Sequence, residues 1–404
     1  MVDMQHTPGL TKNPAIVFGL SETGLGVGRS LGRLGICVFG FDFKKDLAYY
    51  SKYMKPVLCP HPLESQDRFV DFLVSFCSAQ ADRPVLFITS DSFLQVVSHY
   101  RGRLEPHCLF NLPTVELIEA ISDKYRQYQL VKAAGIALPE THMIESSEQL
   151  EALKDTLTYP VFVKGVDVSS WRTNVDGRIK GFGVRNRAEF MEKIVPILKN
   201  GVKVIAQEIV EGPDTNNYKY CTYFSRDGVS LLGFTLRKIR QNPIRFGVGA
   251  VIESIEYPEL ASAGDRLFRA IGYQGVGSAE FKLDRRDGRL KLIEINPRYW
   301  QQNALPSACG MNFPLVDYLE CTGQHPPRIG DFATGVKWVN RYLDFESFLE
   351  YRKEGELTFR KWRGSLKGRK IYSDYDPDDR KPALYPWRPE KLFKIPRYLF
   401  ERLF

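Results

Sequence analysis

The sequence predicts an α/β Rossmann-like N-terminal domain, an α+β domain after it, and a basic C-terminal extension. Three observations lead there. From Pro14 to about Asn111, short apolar runs alternate with helical stretches, the βαβ rhythm of a parallel sheet. From there to about residue 330, strands and helices mix less regularly. Roughly the last 70 residues are aromatic, proline-bearing and cation-rich. The boundaries expected are 1–115, 116–330 and 331–404, and a chain of 404 residues has room for two to three domains.

Ala15-Ile16-Val17-Phe18-Gly19 reads as a buried strand, followed by a glycine turn at Gly24, Gly26 and Gly28 and a helix from Arg29 to Leu34. A second strand, Ile36 to Phe41, ends at Asp42, and a helix over Gln66 to Cys77 precedes a strand at Val85 to Thr89. Ser122 to Ala134 reads as a helix capped by Ser122 or Asp123 and stopped by Gly135. Tyr159 to Val166 is an expected strand, Ala188 to Lys199 a helix, and Val202 to Ala206 a strand running into Gln207-Glu208-Ile209-Val210-Glu211-Gly212-Pro213.

Hydrophobic residues at 43% and charged residues at 26% exclude a mainly disordered chain. No stretch approaches the roughly 18 to 20 apolar residues of a membrane-spanning helix. Met1 to Asn13 lacks the apolar core of a secretory signal, and seven scattered cysteines without a CxxC pair read as reduced, buried thiols of a cytoplasmic protein. Net charge is +8, of which residues 351–404 contribute +7, from 15 Lys or Arg against 8 Asp or Glu.

Gly24-Leu25-Gly26 before a helix, with Asp42 closing the next strand, is a partial dinucleotide fingerprint. The third glycine would fall at Arg29, whose side chain should disturb close helix–strand packing. A tight strand–helix turn without bound NAD is the better reading.

The most informative stretch runs from Gly277 to Arg298. Two strand-like runs flank Arg286-Asp287-Gly288, which suits a three-residue hairpin loop with Gly288 in the left-handed region. In that register Arg285 faces Arg289 and Glu280 lies opposite Glu294. Asn296 then shares the face of Glu294, and so do Leu290 and Leu292. Facing carboxylates destabilise a sheet, so a cation between them is expected. Two carboxylates and an amide oxygen make a hard donor set for Mg²⁺ and a poor one for zinc. The bland alternative is a solvated hairpin, and a one-residue slip would separate the two glutamates.

Lys164 ends an apolar run, Lys124 sits at a helix start where the dipole disfavours a cation, and Arg237, Lys238 and Arg240 form a third positive cluster. Singly, each reads as surface charge. Together with an acidic Mg²⁺ site they suit a nucleoside triphosphate. No P-loop sequence occurs.

These residues resemble the ATP-grasp superfamily, within it a carboxylate–amine ligase group that includes D-aspartate ligase. Glu280-Phe281 and Glu294-Ile295-Asn296-Pro297-Arg298 look like its metal and phosphate motif. Lys124 and Lys164 look like its ATP-binding lysines, and Gln207 to Asp214 like its adenine-binding hinge, centred on residues 207–212. The likeness covers about residues 14 to 325, its N-terminal part resembling the pre-ATP-grasp domain. It implies ATP as cofactor with one or two Mg²⁺, or Mn²⁺ in their place, on Glu280, Glu294 and Asn296. It also implies base contacts from Glu208 and Val210, ribose contacts from Asp214 or Glu211, and phosphate contacts from Lys124, Lys164 and Lys180. The 165–183 segment, expected to cover ATP, is poorer in glycine than the family's loop. Arg298 would stabilise the transferring phosphoryl group, and Arg237 or Lys238 would hold the acceptor carboxylate.

The reaction implied is carboxylate–amine ligation through an acyl phosphate, on small-molecule substrates without nucleic acid, in a homodimer by family likeness. Two other readings stand beside it. One is an NAD-dependent oxidoreductase using Gly24, Gly26 and Asp42. The other is a binding module whose 351–404 tail meets an anionic membrane or envelope precursor, peripheral to the inner membrane face. A tail packed across the catalytic domain is the bland counterpart.

Overall fold

The computed structural model describes residues 9–166, 170–171, 174–175, 181–327 and 329–387. The N-terminal part is a parallel sheet, with β1 (Ala15–Phe18), β2 (Val38–Asp42), β3 (Lys55–Leu58) and β4 (Val85–Ile88) in the order β3-β2-β1-β4. Helices α1 (Glu22–Gly32), α2 (Gln66–Ser78), α3 (Asp91–His99) and α4 (Arg101–Leu104) connect it. β1 and β4 are buried along their whole length, as apolar runs covered on both faces must be.

The glycine turn is placed differently from the expectation. Helix α1 begins at Glu22 behind an N-cap, Ser21, so the three glycines lie inside it. Close approach is the reason they are glycine. A Cβ on Gly24 would come within 1.9 Å of the Gly19 carbonyl oxygen, and one on Gly28 within 2.3 Å of Met54 Sδ. Arg29 does not disturb this packing, because it turns to the C-terminal extension. Its Nε lies 3.0 Å from Asp379, and its Nη2 donates to the carbonyls of Asp379 and Asp374. Asp42 accepts from the amides of Leu20 and Phe43, each at 2.8 Å, which spends on the β1–α1 turn the carboxylate an oxidoreductase would need for ribose.

After α5 (Val115–Ser122), the helix expected over Ser122 to Ala134 is α6 (Lys124–Ala133), capped by Asp123, whose side chain accepts from Arg126 N. A small antiparallel sheet follows, ordered β5-β8-β6-β7, from β5 (Thr141–Ile144), β6 (Val161–Gly165), β7 (Phe182–Val184) and β8 (Val204–Glu208). Helices α7 (Ser147–Leu153) and α8 (Arg187–Lys199) accompany it, and Ile144, Leu150, Val163, Phe190 and Ile194 share its core.

The third sheet has seven strands: β9 (Asn217–Phe224), β10 (Ser230–Asn242), β11 (Val248–Ser254), β12 (Gly275–Leu283), β13 (Leu290–Asn296), β14 (Lys337–Val339) and β15 (Lys370–Tyr372). Their order is β13-β12-β9-β10-β11-β14-β15. One face, through Tyr220, Phe281, Leu292 and Ile295, packs on α9 (Pro258–Ala270). The other, through Cys221, Phe234 and Leu236, shares a core with Leu25, Val27 and Leu31 of α1 and with Trp300 and Phe313. α10 (Ala304–Ala308) and α11 (Phe313–Cys321) lie on that second side.

The C-terminal region is built into this frame. β15 pairs parallel to β14, and α12 (Arg341–Lys353) and α13 (Phe359–Ser365) are tied in by buried Asp344, which accepts from Arg240 at 2.6 Å and Trp362 Nε1 at 3.0 Å. All seven cysteines are free thiols, and Cys37, contrary to the buried expectation, is exposed.

Candidate functional site

The β12–β13 hairpin brings Glu280 directly opposite Glu294 and Ser278 opposite Asn296, as the sequence register required. The path to that register differs. Asp284 N donates to Arg289 O (3.0 Å) and Gly288 N to Asp284 O (2.9 Å), closing a four-residue loop, Arg285 to Gly288, with Gly288 at φ +68°. A three-residue loop was expected. Pairing near the turn is therefore offset by one residue, and a bulge at Ile293 restores it before the glutamates. The bulge also reverses the faces, so Leu290 and Leu292 join Phe281 and Ile295 in the α9 core and do not share the face of Glu294.

Freed of those leucines, the carboxylate face is polar. Glu280 lies 3.0 Å from Lys219 Nζ on β9 and 3.1 Å from Lys238 Nζ on β10. Burial would raise the Glu280 pKa, but the two lysines overcome it and hold the carboxyl well below its ordinary range. Glu294 lies 2.5 Å from Lys124 Nζ at the start of α6. Here cations stand on the carboxylates that the sequence assigns to a metal, and the like-charge conflict is met by lysines. Ser278 Oγ and Gln241 Nε2 are buried on the same strands without a hydrogen-bond partner among the described residues. Gln241 Oε1 accepts from Lys238, which sets it on the same side. Two facing carboxylates, the Asn296 amide oxygen and the Ser278 hydroxyl are a donor set that fits a hexacoordinate oxygen-bound ion with its own waters, while Gln241 Nε2, a donor, suits an anion or a water.

Lys164 on β6 approaches from the small sheet, where its Nζ donates to Gln207 Oε1 at 3.2 Å and lies 5.6 Å from the Tyr128 ring centre. Gln207 is buried, and its amide nitrogen donates to Tyr128 OH and to Thr141 Oγ1. Glu208 donates its backbone N–H to Glu140 O (2.8 Å), while its carboxylate pairs with Lys291 and Arg286 of the hairpin. Val210 is buried, and Glu211, exposed, accepts from Arg285 N through its carbonyl. Asp214 is buried too, with Oδ2 accepting from Arg245 N at 2.9 Å and from Tyr351 OH. Ion pairs from Glu208 and the Glu211 contact thus join the hinge to the large sheet.

Arg298 reaches the N-terminal domain, making a two-pronged contact with Asp91 at 2.6 and 2.9 Å. Arg237 is not with the carboxylates. It is paired across β10–β11 with Glu253, at 2.8 Å, and Glu253 also binds Lys337 at 2.9 Å. Alternation explains this. Leu236 and Lys238 flank Arg237 on the strand and point into the site face, so Arg237 must point to the reverse one. Lys180 lies outside the described residues.

Lys219, Gln241, Lys282 and Lys291 were not assigned roles from sequence. Lys282 and Lys291 face each other two steps along from Glu280 towards the hinge, and burial lowers the Lys282 pKa. The available signal for Lys219 was its alternation with aromatics in Tyr218-Lys219-Tyr220, a polar residue in an otherwise buried strand.

The small sheet, through Lys164 and residues 207–211, adjoins the large sheet, whose Glu280 and Glu294 are flanked by lysines, an arrangement suited to a polyanionic ligand. A family model described as carbamoyl-phosphate synthase L chain, ATP binding domain, matches residues 235–317. D-aspartate ligase of Enterococcus faecium (strain Aus0004) is 23% identical over 292 residues, covering 69% of this chain and 69% of that protein. Vancomycin B-type resistance protein VanB of Enterococcus faecalis (strain ATCC 700802 / V583) is 27% identical over 223 residues, covering 50% and 61%. Among solved structures, the biotin carboxylase domain of Hydrogenobacter thermophilus 2-oxoglutarate carboxylase, in complex with MgADP, ADP and bicarbonate, superposes with a TM-score of 0.62 at 16% identity, over 81% of this chain and 74% of that one. In sequence and in fold the chain is thus similar to ATP-grasp enzymes.

Proposed function

We propose that the protein is an ATP-dependent carboxylate–amine ligase that works through an acyl phosphate and releases ADP and phosphate. The observation that carries this reading is the Glu280–Glu294 pair, directly cross-strand and flanked by Lys219, Lys238 and Lys124. Nothing in a merely structural hairpin calls for facing carboxylates, whereas phosphoryl transfer between two anions does.

In this reading residues 1–115 form the pre-ATP-grasp domain, 116–330 the grasp and 331–404 the extension. The adenine lies along Gln207 to Val210, and Glu211 or Asp214 meets the ribose. Since Asp214 Oδ2 is already shared by Arg245 N and Tyr351, exposed Glu211 is the freer of the two. Glu280, Glu294 and Asn296 would hold Mg²⁺, or Mn²⁺ in its place, which when bound neutralises the β- and γ-phosphates and polarises them for transfer. Lys124 and Lys164 move from Glu294 and Gln207 onto phosphate oxygens as ATP enters. Lys238 holds the acceptor carboxylate in line with the γ-phosphorus. Arg298, oriented by Asp91, supports charge on the transferring group. Arg237, on the reverse face, has no part. Lys180, outside the described residues, would add a further phosphate contact. A small-molecule carboxylate and amine, a homodimeric state and a cytoplasmic location at the inner membrane face complete the reading. So does a role for residues 351–404 in reaching an anionic surface.

The test is a screen of carboxylate and amine pairs for phosphate release that depends on both. Glu294→Gln should abolish carboxylate-dependent ADP formation while the protein keeps its thermal midpoint. Undiminished turnover in that variant would remove the metal assignment.

A further inference from the structure

We infer that the outward face of α13, with the aromatic residues beside it, is a docking surface for anionic phospholipid membranes. The inference rests on the reading of the C-terminal region as a membrane-facing part and is independent of the ligase chemistry. Between Leu357 and Ser373 the chain carries six Lys or Arg and no Asp or Glu. Arg360, Lys361, Arg363, Lys367 and Arg369 are all exposed, and none of them forms an ion pair among the described residues. Of their side chains, among the described residues, only that of Arg369 donates a hydrogen bond, to the Ala308 carbonyl.

The acids of the same region are spent elsewhere. Asp379 and Asp376 pair with Arg29 and Arg33, Asp374 with Arg341, and Glu354 and Glu356 with Arg245. Asp379 and Asp376 thus tie the extension to α1, Glu354 and Glu356 bind Arg245, and Asp374 pairs within the extension, so none of these five carboxylates is paired with the cations of residues 357–373.

Helix geometry keeps the two sides apart. Trp362 and Ser365, three residues apart, face inward, with Trp362 stacked on Phe348 at 4.7 Å and Ser365 accepting from Arg240 at 2.5 Å. Arg360, Lys361 and Arg363 are left on the other side, and no residue of α13 is buried. Phe359 (56% exposed) and Phe345 (42%) stand beside this cationic face, each in contact with Trp362, at 5.5 and 6.4 Å. Exposed phenyl rings among unpaired cations match a surface that is anionic at the headgroups and apolar just below. A duplex or a polyanion would satisfy the cations and leave the rings in water. The chain's own residues 388–404 hold five Lys or Arg against two Glu, so they carry the same sign and do not complement the patch.

The test is sedimentation of the full chain with phosphatidylcholine vesicles, with and without phosphatidylglycerol. Binding is expected only to the anionic vesicles and should weaken as salt is raised. The triple variant Arg360→Gln, Lys361→Gln, Arg363→Gln should bind them about a hundredfold more weakly, with an unchanged thermal midpoint because the three side chains are exposed. Phe359→Ala should lose about tenfold, a loss that persists at high salt. Equal binding to neutral vesicles, no binding to anionic ones, or native-like binding by the triple variant would overturn the inference. So would binding to heparin or duplex DNA without binding to the anionic vesicles. Screening for ATP-dependent ligation is separate, so either result stands without the other.

Discussion

Glu280 and Asp317 are both desolvated carboxylates beneath the seven-stranded sheet, yet their neighbours drive them apart. Glu280 has two ammonium groups within 3.1 Å and is held well below the carboxylate range. Asp317 has two phenols, Tyr223 OH at 3.0 Å and Tyr299 OH at 2.9 Å, and burial pushes it up to about 7 because hydroxyls only partly replace lost water. Desolvation alone therefore does not decide charge inside this protein; the partner does. A carboxylate kept anionic by lysines can exchange those lysines for a metal ion and phosphate. One buried among tyrosines serves as an architectural anchor, here fixing Tyr299, the residue after Arg298.

The largest break of this contrast is Glu280→Gln. It removes an oxygen donor and leaves Lys219 and Lys238 facing each other without an anion. Turnover should fall on the order of a hundredfold to a thousandfold, measured as ADP formed per enzyme. Stability should fall by up to about 3 kcal/mol in denaturant titration, since breaking a desolvated pair leaves unpaired charge. In the native protein the Glu280 contribution has a definite sign. Its folded pKa is depressed, so the stabilisation is present above the unfolded carboxylate value and is lost as pH falls below it. Glu280→Gln should flatten that acid limb, and an unchanged limb would show that the lysines do not act through this carboxylate.

Lys219→Met should come next. Lys219 has no assigned contact with substrate, yet it is one of the two cations that keep Glu280 ionised. Its loss should raise the Glu280 pKa and lower affinity for Mg-ATP by about tenfold in calorimetry at neutral pH. Recovery of that affinity as pH is raised would trace the defect to protonation of Glu280. A loss independent of pH would assign Lys219 directly to phosphate.

Much of this was legible in the sequence. The cross-strand position of Glu280 and Glu294 followed from the strand period and a Gly-containing turn, and it survived even though the loop is longer by one residue. The bulge at Ile293 was not legible, because a bulge depends on which residues the two faces must bury, and burial is a property of the assembled sheet. The same limit misplaced Leu290 and Leu292. Lys124 and Lys164 could be chosen as unusual cations, but their ligand-free partners, Glu294 and Gln207, lie 170 and 43 residues away. Lys219 was hidden for a related reason, since β9 is central in the sheet and its pairing with β12 crosses 50 residues of chain. The helix glycines were misread as a turn because a periodic Gly pattern has two causes, backbone freedom and close packing, and only contacts with Gly19 and Met54 distinguish them.

Asp317→Asn tests the other side of the contrast. A raised folded pKa means the native protein retains a proton that the unfolded chain gives up between about pH 4 and pH 7. Stability should fall as pH rises through that window and level off above it. The asparagine variant cannot titrate, so the fall should shrink, while stability at pH 5 changes by only about 1–2 kcal/mol because the amide can accept from one phenol. A slope identical to that of the native protein would show that Asp317 is ionised throughout and that the phenols suffice to hold its charge.

The smallest effect sharpens the comparison most. Glu253 also has two cations, Arg237 at 2.8 Å and Lys337 at 2.9 Å, and also titrates below the ordinary carboxylate range, with burial opposing the shift and the cations winning. By charge alone it resembles Glu280. What it lacks is a second carboxylate opposite: its cross-strand neighbours are Arg237 and Lys337 themselves. The ladder is electrically closed, and it lies on the face turned away from Lys238 and Glu280. Arg237→Ala should therefore leave turnover within about twofold of native and reduce stability by roughly 1 kcal/mol or less, as expected for a half-exposed pair. Lys238→Ala, one residue along on the same strand, should lower turnover at least about tenfold by loosening both Glu280 and the acceptor site. If the two substitutions affected turnover equally, the strand's alternation would not separate a catalytic face from a structural one, and the acceptor site would have to include Arg237.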